Sequence, residues 1–164
     1  MAHYSLGFTT KTMTAVADAA NMTDNGYATF LQGGSSTQQL RINEVYVGGE
    51  STSSTPTTMV LGRDSTVAAS SISGNFNALK DGSSTAPGTV AVFGCVSTTK
   101  PQRSATLGRL LGLSLNAFGG IARWQARYGE EITTIGNTAS LGEVSLSSVT
   151  GAGIVSGHVL YEVV

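Results

Sequence analysis

Ile121-Ala122-Arg123-Trp124-Gln125-Ala126-Arg127-Tyr128 is the stretch on which the reading of the fold turns. Ala122, Trp124, Ala126 and Tyr128 share one parity, and Arg123, Gln125 and Arg127 share the other. Successive side chains of a strand point to opposite faces, so this is a strand with one dry side and one wet side. The C-terminal run repeats the arrangement, with Val159, Tyr161 and Val163 on one face and His158 and Glu162 on the other. There His158 reads as an exposed polar position. Thr89–Val96 is apolar on both parities and reads as a central strand covered on both faces. Its one cysteine, Cys95, is the only cysteine of the chain, so no internal disulfide forms, and it reads as a small buried apolar residue.

Further strands are expected at Ser5–Thr12, Tyr27–Gln32, Gln39–Val47, Thr57–Arg63 and Glu143–Val149. Parity changes near Asn43-Glu44, as a β-bulge allows. Leu107, Leu111, Leu113 and Leu115 share a parity that Arg109 interrupts; a helix there would carry Gly108 and Gly112, each costing about 1 kcal/mol relative to alanine. Short helical turns are expected at Thr14–Ala20 and Asn75–Leu79. Asp24-Asn25-Gly26, Gly48-Gly49, Asp81-Gly82, Gly119-Gly120 and Gly151-Ala152-Gly153 separate the runs. The expectation is an all-β chain of about eight to ten short antiparallel strands, in a sandwich, jelly roll or small barrel. No charged or proline-rich linker divides residues 1–164, which read as a single β domain.

Composition agrees. The chain has 20 Ser, 21 Thr and 21 Gly in 164 residues, and charged residues make up 12%, about half the usual ~25%. With 40% hydrophobic residues and a net charge of −1, it departs from the disordered class, which pairs low hydrophobicity with high net charge. Nine basic residues without a run are a poor match to a phosphate backbone, so nucleic acid is not an expected partner. No apolar stretch approaches the ~20 residues of a membrane span, and no basic segment followed by an apolar run opens the chain. The expected setting is a cytoplasm, with the protein soluble until it assembles.

Catalytic material is thin. His3 and His158 are the only histidines, no Gly-x-Ser-x-Gly elbow is present, and adjacent Glu130 and Glu131 would point to opposite faces of a strand. No Cys/His cluster suits zinc and no Asp-x-Asp-x-Asp loop suits calcium. Gly151-Ala152-Gly153-Ile154-Val155-Ser156-Gly157 departs from a dinucleotide fingerprint by one position and reads as a turn before the last strand. The expectation is a non-enzyme without cofactor or metal. Arg123 and Arg127 suit a carboxylate-bearing partner across an interface, or a plain solvated strand face. Tyr4, Leu6 and Phe8 alternate within residues 1–11, as in an arm adding a strand to a neighbour's sheet, or as in the chain's own first strand.

Two runs, Arg41-Ile42-Asn43-Glu44-Val45-Tyr46-Val47-Gly48-Gly49-Glu50 and Thr58-Met59-Val60-Leu61-Gly62-Arg63-Asp64-Ser65, carry a resemblance, as do Ile135-Gly136-Asn137-Thr138, Leu141-Gly142-Glu143-Val144-Ser145-Leu146-Ser147 and the closing Tyr161-Glu162-Val163-Val164. In these the chain resembles the decoration, or cement, proteins on the heads of tailed phages. The resemblance implies a jelly-roll fold, a homo-oligomer with a trimer favoured, the major capsid protein as partner, and a place on the capsid surface of a virion. The competing reading is a glycan- or receptor-binding module of a viral fibre or spike.

Overall fold

The computed structural model describes residues 2–68, 75–79, 91–94, 96–136 and 142–164. Among them no helix occurs, and twelve strands form two antiparallel sheets packed face to face. The strands are β1 (Ala2–Thr14), β2 (Tyr27–Gly33), β3 (Gln39–Gly49), β4 (Pro56–Thr66), β5 (Asn75–Leu79), β6 (Ala91–Gly94), β7 (Gln102–Arg103), β8 (Arg109–Asn116), β9 (Ile121–Gln125), β10 (Ile132–Ile135), β11 (Glu143–Thr150) and β12 (Ala152–Val163).

The pairings are nested. β1 pairs with β12, β2 with β11, β3 with both β9 and β10, and β4 with both β7 and β8. First with last, second with second-last and so inward is a long antiparallel hairpin rolled into two sheets, the jelly-roll topology. β5 and β6 are additions along the outer sides of β1 and β2. β9 and β10 lie end to end along β3, and β7 and β8 end to end along β4, so two edge strands are each broken by a loop. These breaks, together with β5, bring the strands to twelve where about eight to ten are expected.

Alternation sets the core. Tyr4, Leu6 and Phe8 of β1, Val45 and Val47 of β3, Val155, Val159 and Tyr161 of β12 face Met59, Leu61, Leu113, Leu115, Val144 and Leu146 of the second sheet, all buried. Tyr4 and Tyr161 are cross-strand partners whose rings stack 5.2 Å apart. The expected parity change is present: Leu160 pairs with Glu44 and Tyr161 with Ile42, leaving Asn43 as the extra residue of a bulge. Gly151 sits at φ +72°, the left-handed turn between β11 and β12 that glycine adopts without strain.

Several expectations need correction. Asn75–Leu79 is a strand on β1 rather than a helical turn, because β1 offers a free ladder there and tertiary pairing outweighs local propensity. Thr14–Ala20 holds only a hydrogen-bonded turn at its end, from Ala20 N to Ala17 O. Leu107–Leu115 becomes strand β8, which starts at Arg109 and leaves Leu107 exposed. The run at Thr89–Val96 yields β6, placed outermost beside β2 instead of centrally; Cys95 lies outside the described residues. Tyr128 leaves the dry face, since β9 ends at Gln125 and its ring is fully exposed.

The outer face of the second sheet is itself covered. Residues 15–26 cross it, tied by Val16 N to Ser148 O (3.0 Å) and Ala19 N to Arg103 O (2.9 Å), with Met22, Tyr27, Phe30 and Ala68 forming a smaller core beneath. Arg103 is the latch. Wholly buried, it donates to Asp18, to Ser147 Oγ and to Val16 O, and its stem lies where a Cβ on Gly62 would stand 2.7 Å from its Cδ.

Under the same cover lie two carboxylates, Asp64 and Glu143, both fully buried. Ser145 Oγ donates to Asp64 at 2.8 Å and the Ala68 amide to Glu143 at 3.0 Å. Burial pushes Asp64 up to about 7 and, with the Asp64 charge beside it, Glu143 to about 9. A shared proton satisfies the pair where two adjacent charges could not.

Two predictions follow from these buried groups. The folded pair keeps its proton to higher pH than the unfolded chain, whose carboxyls titrate near about 4. Stability therefore falls as pH rises from about 4 toward 9, and Glu143→Gln flattens that slope in melting curves taken across the range. Arg103→Ala lowers the unfolding free energy in urea by roughly 3 kcal/mol, whereas Arg109→Ala, which removes the exposed partner of Asp18, lowers it by less than about 1 kcal/mol.

Candidate interaction face

Five of the six exposed large apolar side chains of the described residues, Leu107, Leu110, Phe118, Ile121 and Tyr128, fall between Leu107 and Tyr128. That segment makes the free edge of the second sheet (β8), the turn across the flank of the sandwich, the free edge of the first sheet (β9) and the loop beyond it. β8 and β9 pack against each other, so both sheets end side by side along one flank. An edge strand presents unpaired backbone groups. Here the loops after β7 and after β9 break each edge, a device that discourages indiscriminate strand pairing.

The loop after β9 is exposed along its middle. Arg127, Tyr128, Gly129 and Glu130 are exposed, and Glu130 N caps the turn on Arg127 O at 2.9 Å. Arg127 has no side-chain partner among the described residues. Arg41, Arg103, Arg109 and Arg123 all meet carboxylates, and Arg63 donates to Thr133 O. A free guanidinium beside a fully exposed tyrosine joins two of the residue types enriched where protein interfaces draw most of their energy.

Adjoining the flank, the outer face of the first sheet is a polar layer built in cross-strand rows. Tyr46 of β3 is flanked by its partners His158 of β12 and Arg123 of β9. The Tyr46 and His158 rings stack at 5.2 Å and 12°. Below them Glu44 accepts from Arg123 Nη2 at 2.7 Å and lies 2.9 Å from His158 Nε2. Burial opposes the Glu44 charge, but the Arg123 and His158 hydrogen bonds outweigh it and hold its pKa below the ordinary value. One row further on, Glu162 lies 3.7 Å from Arg41 and 3.9 Å from His3. Both histidines thus stand on this face beside carboxylates.

The structure separates the residues expected to form an interface. Tyr4, Leu6 and Phe8 are buried in the chain's own core, because β1 lies between β12 and β5 and turns that parity inward; as placed, they are no surface for a neighbour. Residues 2–11 form part of the first strand. Arg123 is half spoken for, since the carboxylate it meets is its own Glu44. Arg127 remains available. His158 is half-buried and paired, not an exposed polar position, and Glu162 is buried. Trp124 is partly buried against the core.

Sequence reasoning missed the Glu44–His158–Tyr46–Arg123 cluster. The bulge at Asn43 was its available signal, since it turns Glu44 to the face opposite Ile42 and so outward with Tyr46, but the β3–β12 register that brings His158 to Tyr46 spans more than a hundred residues. No family model, curated protein or solved structure matches the chain.

Glu44→Gln tests the cluster. A carboxylate with a lowered pKa contributes stability above its ordinary value and loses it as pH falls. The wild-type chain should therefore exceed the variant by roughly 1 kcal/mol near neutral pH, with the difference shrinking progressively as pH falls below about 4 in thermal unfolding.

Proposed function

We propose that this chain is a structural virion protein of the cement type, which binds the outside of a viral shell and holds neighbouring coat subunits together. The observation that carries the reading is that five of the six exposed large apolar side chains of the described residues, with the free Arg127, fall on the one segment that forms the edges of both sheets. A scattered exposed leucine is ordinary, whereas a run of exposed apolar side chains along one edge-forming segment suits a surface that meets something. The rest of the molecule suits a part that holds instead of turning over. Its outer faces are tied down by internal ion pairs and by a covering loop, so the flank is presented by a rigid frame.

In this reading the chain forms a homo-oligomer, a trimer by preference, on the capsid surface, with the major capsid protein as its partner. Several weak contacts made at once by a linked set of copies exceed a single contact by about 10²–10⁴ in avidity. The sequence resemblance to phage head decoration proteins points the same way. Neither nucleic acid nor membrane is required.

The test is co-sedimentation with empty heads of the virus that encodes the chain, with light scattering for the oligomeric state. The wild-type chain should be oligomeric, bind the heads and raise their resistance to heat. Arg127→Ala combined with Tyr128→Ser should leave the melting temperature nearly unchanged, since both side chains are exposed, and weaken head binding by about tenfold or more. A monomer that ignores the heads sinks the reading.

A further inference from the structure

We propose that the glycine-floored groove on the outer face of the first sheet is a binding site for a neutral saccharide, taking one or two sugar units. The groove holds about 380 Å³, within the range of small-ligand sites. It lies one row beyond the Tyr46–His158 stack, where Ser156 of β12 pairs with Gly48 of β3 and Gly48 with Ile121 of β9. It is distinct from the Arg127–Tyr128 loop, which lines none of it.

Three features select the ligand class. The first is the floor. Glycine weakens a strand and marks close approach of something to the backbone. Gly49 and Gly157 are accounted for by packing, because a Cβ there would stand 2.3 Å from Ala117 O and 2.0 Å from Tyr46 O. Gly48 shares the outward parity of Tyr46, and its lack of a side chain lets the Tyr46 ring lie close against the strand, since a Cβ would stand 3.3 Å from the Tyr46 hydroxyl. The groove floor beside that ring is therefore low.

The second feature is the walls. His158 and Tyr46 are pre-set by their mutual stacking and by Glu44 below, while Ile121, 66% exposed, stands on the β9 side. A pyranose offers C–H faces that pack on such surfaces and hydroxyls at its rim. The third is charge. The lining contains Glu50 as its one carboxylate, with the Thr9 and Ser156 hydroxyls, and no lysine or arginine. Ser156 Oγ accepts from the Thr10 amide at 2.8 Å and keeps its own proton to donate. A carboxylate binds paired sugar hydroxyls well, and with Glu50 on its wall and no lysine or arginine the groove discriminates against phosphorylated or acidic sugars.

Saturation-transfer NMR tests this on the full chain. The probes are the methyl glycosides of glucose, galactose, mannose and N-acetylglucosamine, with maltose and lactose, against sialyllactose and glucose 6-phosphate. At least one neutral probe should bind with a dissociation constant of roughly 1 mM, as befits a ligand of a dozen or so heavy atoms. Ile121→Ser and Glu50→Gln, both exposed positions that leave the core intact, should each weaken it about tenfold or more. Tyr128→Ser should not, which keeps this site separable from the head-binding flank. No signal from any neutral probe at about 10 mM, tighter binding of the anionic probes, or binding indifferent to both groove variants overturns the proposal.

Discussion

β12 lies between β1 and β3, and the first sheet depends on that position. Its alternate residues Val155, Val159 and Tyr161 supply the middle of the core, while Ser156, His158 and Glu162 on the other side occupy the centre of the outer polar face. A slip of one residue in its register would exchange these sets, moving three apolar side chains into water and an ionisable pair into the core. The Asn43 bulge is the adjustment that lets β3 keep both faces in step with β12 along its whole length. The Tyr4–Tyr161 stack on one side and the Tyr46–His158 stack on the other then hold the register from both faces.

The two sheets solve the problem of their outer faces differently. The first sheet leaves its face partly open and covers it with charge pairs, whose hydrogen bonds fix side chains that would otherwise sample many rotamers. The second buries its face under residues 15–26 and therefore has to satisfy a guanidinium and two carboxylates away from water. Arg103 does so with Asp18, Ser147 and a backbone carbonyl, the full fork being needed because an unpaired buried charge costs several kcal/mol. The carboxylates do so by sharing a proton. What remains uncommitted is the flank at β8 and β9 and the shallow groove near it, and the functional readings rest on these.

Much of the fold was legible because period-two alternation is a local signal. Gln39–Val47 and the closing run appear where the alternation placed them, as does the bulge, and Ile121–Tyr128 does so as far as Gln125. Three things were not legible, each for a physical reason. Glu143, Ser145 and Ser147 alternate with apolar residues just as a wet face does, so their burial depends on a distant loop folding over them. Tyr4, Leu6 and Phe8 carry the pattern of an edge-seeking arm and of a central strand alike, and only the partners on both sides of β1 decide between them. The pairing of Glu44 with His158 depends on register between strands more than a hundred residues apart. Of the expected interface residues, Arg123 stands at the surface because its parity put it there and Arg127 because β9 ends before it, while the parity of Tyr4, Leu6 and Phe8 turns them inward.

The pairing of Ala2 with Val163 also bears on how the molecule comes to be made. A chain leaving the ribosome at about 5–20 residues per second exposes β1 on the order of ten seconds before its partner is synthesised. Throughout that interval Tyr4, Leu6 and Phe8 have no native cover on the β12 side. Such a nascent chain must rely on solubilising neighbours, and the Ser- and Thr-rich sequence between β1 and β12 supplies hydroxyls for the wait. The folding of the first sheet is therefore a late, closing event that waits for β12 to emerge.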